Sequence, residues 1–236
     1  MGKVIAIAKK ELLSYFSSPM AYIILLGSLS LFNIFFFMIV EQNKEVSLIE
    51  IFQVMEFMFV LLIPILTMGL LAEEKSAGTL EFLMTAPLSN TSIVLGKYLG
   101  ILSFFSLLLA LTLVYYGVIE YFGSPDRATI LTGYLGIFLE GALFIAIGLM
   151  ASSWTGNTII SAMVSFVILL LLYSADNFSP YFSGSIQTLI TQLSTRNHLD
   201  HFARGIISPA DLMYFFSGII VCLTLTRFSI ENRRWR

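Results

Sequence analysis

Long apolar runs separated by short polar stretches dominate the chain. Six of them reach or approach membrane-spanning length: Met20 to Val40, Phe57 to Ala72, Tyr98 to Ile119, Thr132 to Ala151, Thr158 to Ser174 and Leu212 to Phe228. Bilayer hydrocarbon is about 30 Å thick and a helix rises about 1.5 Å per residue, so one crossing takes about 20 residues. The second and fifth runs are the shortest, and apolar Ile51, Phe52 and Val54 could lengthen the second. The pattern predicts an all-α polytopic membrane protein in which residues 1–236 form a single domain with six transmembrane helices. An even number of crossings returns both termini to one side.

Three stretches outside these runs carry a different period. Before the first run, Val4, Ile5, Ile7, Ala8, Leu12, Leu13 and Phe16 alternate with Lys3, Lys9, Lys10 and Glu11 at roughly helical spacing. This predicts an N-terminal helix lying in the interface, ended at Ser17, Ser18 and Pro19 because the position before a proline disfavours helix. Between the second and third runs, residues 73–97 form a segment far longer than a turn. There Thr79 can cap a short helix in which Leu80, Leu83 and Met84 share a face, and Pro87 ends it. It either anchors a loop at the bilayer surface or docks a cytosolic partner. Between Asp176 and Asp211, Ile186, Leu189, Ile190, Leu193 and Phe202 recur beside Gln187, Gln192, Arg196 and Asp200, predicting one or two short amphipathic helices at the outer face.

Composition sharpens the picture. The chain is 57% hydrophobic and 12% charged, with a mean hydropathy of +0.88, which no water-soluble core could absorb. The few Lys and Arg residues flank apolar runs rather than forming a stripe, so nucleic-acid binding is disfavoured. With the N-terminus inside, Lys3, Lys9, Lys10, Lys75, Lys97, Arg227, Arg233, Arg234 and Arg236 face the cytoplasm, against Lys44, Arg127, Arg196 and Arg204 outside. That excess predicts cytoplasmic N- and C-termini in the inner membrane. Acidic Glu41, Glu45, Glu50, Glu56, Asp126, Asp176, Asp200 and Asp211 fall mostly outside. The N-terminus lacks the apolar core and cleavage site of a signal peptide and reads as mature sequence. Cys222, the only cysteine, excludes an intramolecular disulfide and a cysteine-based metal site.

Few residues carry candidate chemistry. Glu140 sits in the middle of the fourth run, where an ionised carboxylate is costly; it either lines a substrate path or packs helices near Gly136 and Gly141. Asn33 in the first run suits an interhelical hydrogen bond. His198 and His201 flank Asp200, too few ligands for a metal site, and read as an interfacial pair. Tyr115, Tyr116, Tyr121, Tyr134, Tyr173 and Tyr181 lie near run ends, as an interfacial belt requires. Both histidines fall outside the runs and paired intramembrane aspartates are missing, which argues against an intramembrane protease. The chain also has no G-x-x-x-x-G-K-[ST] phosphate loop, so any ATPase driving it is another polypeptide.

Glu73-Glu74-Lys75, Gly78-Thr79-Leu80-Glu81, Pro87 and Gly96-Lys97 together resemble the signature of type-2 ABC export permeases. Lys9-Lys10-Glu11 with Tyr15-Phe16-Ser17-Ser18-Pro19 resembles the family's N-terminal elbow, and Gly148 to Asn157 and Arg233-Arg234-Trp235 also fit. Within the family, the chain is most similar to permeases associated with bacterial gliding motility, then to those of nitrous-oxide reductase maturation. The resemblance implies a non-catalytic subunit that binds no cofactor itself and works with an ABC ATPase carrying ATP and Mg. A second permease subunit, identical or related, would complete the path. Thr79 to Ala86 would be the coupling helix, with Leu80, Leu83 and Met84 on its apolar face. Glu73, Glu74, Lys75 and Glu81 would make polar contacts to the ATPase or the elbow, and Gly78 would let the chain turn. The implied output is export; the alternative is force transmission to a periplasmic partner without solute transport.

Overall fold

The computed structural model describes residues 2–43, 48–79, 89–122 and 125–233, and among these it is helical with short connections. Helix α1 (Gly2–Ser17) is followed by α2 (Pro19–Asn43), α3 (Ile49–Thr67), α4 (Gly69–Ser76), α5 (Asn90–Phe122), α6 (Arg127–Trp154) and α7 (Thr158–Phe178). A 3₁₀ turn at Ser179–Tyr181 leads to α8 (Ser185–Leu193), α9 (Thr195–Ala203) and α10 (Pro209–Arg233). Among the described residues, six helical stretches are long and apolar enough to cross a bilayer: Pro19–Glu41, Ile49–Ser76, Asn90–Tyr121, Arg127–Trp154, Thr158–Tyr181 and Pro209–Asn232.

Local chemistry sets most boundaries. Ser18, alone between α1 and α2, accepts the Met20 amide on its hydroxyl at 3.2 Å while Pro19 opens the next helix. Pro64 cannot donate within α3, and one residue, Met68, separates α3 from α4. Ser89 caps α5 through the Ser92 amide at 3.1 Å, Asp126 caps α6 through Ala128, and Asn157 caps α7 through Ile159 and Ile160.

Helix α6 is the axis of the molecule. Of its apolar window 89% is buried, against 28% for the first span, 17% for the fifth and 22% for the sixth. An all-round apolar helix with small residues lets neighbours approach closely. A Cβ on Gly141 would come 2.1 Å from the Phe105 ring, and one on Gly148 2.0 Å from Thr67 Oγ1. Aromatic packing extends this core, with Phe59 on Phe105 at 4.9 Å and Phe36 stacked on Tyr115 at 4.7 Å.

Three expectations need correction. The helices outrun the apolar runs: α5 begins at Asn90 rather than near Tyr98, and at about 1.5 Å per residue its 33 residues extend about 50 Å, beyond the hydrocarbon. Capping decides where a helix ends, whereas hydropathy marks only its apolar stretch. Residues 73–76 are likewise helical, so the stretch between helices is shorter than 73–97. Tyr115 and Tyr134 are not belt residues: Tyr115 is buried, and the Tyr134 hydroxyl donates to the Thr112 carbonyl at 2.8 Å. Tyr121 and Tyr181, 84% and 83% exposed, fit the belt position.

Candidate functional site

The residues flanking the 80–88 stretch converge on one cation. Helix α1 lies against α5 at two glycines one turn apart. A Cβ on Gly96 would fall 2.6 Å from the Ile7 side chain, and one on Gly100 would fall 2.7 Å from Glu11 Cβ. That contact seats Glu11 over Lys97, whose Nζ donates to Glu11 Oε1 at 2.9 Å and to Glu74 Oε1 at 2.8 Å. Lys97 is 2% exposed. One buried ammonium thus ties the elbow α1, the end of α4 and the start of α5. A Lys point charge with three donors suits two carboxylates arriving from different helices.

Helix α4 is also fastened to α6. Ser152 Oγ accepts the Leu71 and Ala72 amides, both at 3.0 Å, and donates to the Met68 carbonyl at 3.0 Å. One hydroxyl therefore serves amides of the first turn of α4, which have no partner within that helix. Lys75 Nζ donates to the Ser153 carbonyl, which Ser229 Oγ of α10 also engages at 2.9 Å.

A cavity of about 330 Å³ opens beside this node, lined in part by Lys10, Glu11, Tyr15, Glu73, Glu74 and Lys97. The Tyr15 hydroxyl donates to the Leu66 carbonyl at 2.5 Å. Burial, then the nearby Glu11 and Glu73 carboxylates, push that phenol well above the ordinary tyrosine range. It stays a neutral donor.

Of the residues singled out in the sequence, Glu74 meets the elbow through Lys97, and Lys75 reaches α6. The Glu73 carboxylate folds over Gly69. Gly78 has a φ of +69°, a left-handed turn that favours glycine. The Thr79 hydroxyl donates back to the Glu74 carbonyl at 3.3 Å. Leu80, Glu81, Leu83 and Met84, and with them the expected helix from Thr79 to Ala86, lie outside the described residues apart from Thr79 itself. Periodicity missed Ser152, and Lys97 entered as a topogenic charge and a part of the family signature with no partner assigned. The signal for Lys97 was a cation inside a Gly-x-x-x-Gly spacing at the mouth of an apolar run.

A second polar centre lies toward the end that carries α8 and α9. Glu140 on α6 is fully buried, and its neighbour is Glu56 on α3, 1% exposed. Glu56 is therefore an interior residue rather than one of an outer acidic set. Neither Glu140 oxygen receives a well-placed donor among the described residues, and the Glu56 carboxyl lies beside it. Gly136 does pack on Leu199 and Phe202.

Both histidines of α9 meet Asp211 of α10. Asp211, 2% exposed, meets His198 Nδ1 at 2.5 Å and His201 Nδ1 at 2.9 Å, fastening α9 to α10. Asp200 pairs with Arg204 at 2.8 Å. Asn33 is exposed on α2, and no interhelical hydrogen bond to it forms among the described residues.

The site therefore consists of an ionic node joining α1, α4 and α5, a latch to the axial helix and a buried acid pair farther along. No curated protein matches the chain. Residues 5–212 match the family model described as ABC-2 family transporter protein, and the protein accordingly belongs to the ABC-2 transporter family.

Proposed function

We propose that this ABC-2 family membrane subunit exports a substrate across the inner membrane, driven by ATP hydrolysis on a separate ABC ATPase that docks on residues 79–86. The observation that carries this reading is the Lys97 node. It gathers the helix ends on both sides of the docking stretch, α4 and α5, together with the elbow α1. With Ser152 and Lys75 joining α4 to α6, a displacement of the stretch would move four helices as one body. Glu73, Glu74, Lys75 and Glu81 would supply polar contacts to the ATPase or to the elbow, and Leu80, Leu83 and Met84 the apolar ones. A second permease subunit would complete the path, because six spans, one of them filling the axis, enclose little on their own. Both termini would be cytoplasmic, and the role would be akin to that of the gliding-motility permeases the sequence resembles.

The test is co-expression with the ATPase encoded nearest to this chain, with purification through a tag on the permease. Wild type should retain the ATPase; Glu81→Arg and a scramble of residues 79–86 should both lose it while remaining folded. Retention by both variants would move the docking site elsewhere, and no association with wild type would remove the ATP-driven reading.

A further inference from the structure

The acid pair between α3 and α6 lies apart from the Lys97 node. Glu56 and Glu140 are 1% and 0% exposed and lie within hydrogen-bonding reach of each other. Glu56 Oε1 and both Glu140 oxygens lack a well-placed donor among the described residues. Thr195 Oγ1 lies beside Glu140 yet is also unsatisfied. An ionised carboxylate only accepts hydrogen bonds, so two carboxylates in reach of each other can bond only when one carries a proton. Two bare charges in a dry helix interface would repel each other with little solvent to compensate.

The surroundings set the number of charges. A cavity of about 340 Å³ is lined by Glu56 itself and by Gln53, Asp176, Arg196, Asp200 and Arg204. On α9, Arg196 attracts the Glu56 carboxylate and Asp200 opposes it, while Asp200 is itself paired with Arg204. On α7, Tyr173 lies beneath the Arg196 guanidinium at 5.9 Å, and Asp176 accepts from Asn197 at 3.2 Å. From α10 comes Tyr214, stacked on His198 at 4.1 Å, with Asp211 holding that imidazole. From α5, Phe105 packs on Gly141 and the Tyr98 hydroxyl donates to the Ala142 carbonyl at 3.2 Å, and α2 meets α3 through Phe32 on Phe59. One carboxylate charge is thus matched by Arg196, and the second must be neutralised within the pair.

We propose that Glu56 and Glu140 form a proton-binding site, holding one shared proton between α3 and α6 and exchanging it with water through the cavity that Glu56 lines. The ligand is a proton, and the pair would bind it whether or not an ATPase docks. Because the two carboxyls sit on different spans, any sliding of α3 against α6 would separate them and oblige the site to release its proton or take up a second.

The test is infrared spectroscopy of the full-length protein in lipid vesicles at near-neutral pH, in water and in deuterium oxide. Wild type should show a protonated carboxyl band that shifts on deuteration. The band should be lost in the doubly substituted Glu56→Gln, Glu140→Gln protein, whose near-isosteric amides keep the helices packed. Deuterium exchange of the band should slow in Gln53→Trp, which fills the cavity mouth. No deuterium-sensitive carboxyl band in wild type, or a band that survives both substitutions, would overturn the proposal. An unchanged exchange rate in Gln53→Trp would overturn the assigned route.

Discussion

Lys97 places a full charge where only 2% of the residue meets solvent, and it is tolerated because two carboxylates converge on it. Removing the cation would leave Glu11 and Glu74 facing each other across a largely dry gap. Lys97→Met should therefore destabilise the protein by about 3 kcal/mol, read as a fall in thermal midpoint in detergent. Combining it with Glu11→Gln and Glu74→Gln should restore much of that loss, because the buried charges disappear together. Asp126 presents the opposite situation, a fully exposed cap. The Thr129 hydroxyl and the Ala128 amide hold its carboxyl below the ordinary aspartate range. Because the folded value is depressed, its stabilising contribution is present above the unfolded aspartate pKa and is lost as pH falls through the folded one. Thermal melting on acidification should show wild type converging on Asp126→Ala only at the acid end of the titration.

At the scale of elements, α6 is held by close approach and α4 by one serine. Gly141→Ala would push a methyl group into the Phe105 ring, and overpacking of this kind costs about 1–3 kcal/mol. Phe105→Leu should recover part of the loss when combined with it, since contacting positions couple in a double-mutant cycle. Ser152→Ala removes the acceptor for two amides and a donor to the Met68 carbonyl. Hydrogen exchange at Leu71 and Ala72 should accelerate in that variant, while amides in the middle of α6 stay protected. The elements themselves were largely legible in the order of residues. The elbow break at Ser18–Pro19, the two short helices after Asp176 and the six long helices follow from proline chemistry, amphipathic period and run length. The ends of α5 were not legible, because Ser89 caps that helix well before its apolar stretch begins.

For the whole molecule, one helix sits inside and the others turn apolar faces outward. Leu26, Phe37, Met163, Leu171 and Ile220 are all more than half exposed, a continuous demand for lipid or a second subunit rather than water. Asn33 lies on the same outward surface. Cys222 is buried at 8% exposure, so the native thiol should resist a membrane-impermeant maleimide in the folded protein. On a Cys222→Ala background, Gln187→Cys on α8 should label in intact cells and Asn232→Cys near the end of α10 only after permeabilisation. The reverse pattern would invert the proposed orientation.

The sequence by itself determined the class of the molecule, the number and order of its long helices and its family, because hydropathy, proline breaks and short motifs are properties of neighbouring residues. It also marked Glu140 as anomalous, since a carboxylate deep in an apolar run stands out without any structure. Only the tertiary structure decided what such residues meet. Glu56 reads as a flanking acid until α3 packs on α6, and Lys97 reads as a loop charge until Gly96 and Gly100 admit α1. Asp211 reads as one more outer acid until α10 brings it against both histidines. In each case the deciding quantity is the distance between residues far apart in the chain, which is fixed by how helices pack and which no local period encodes.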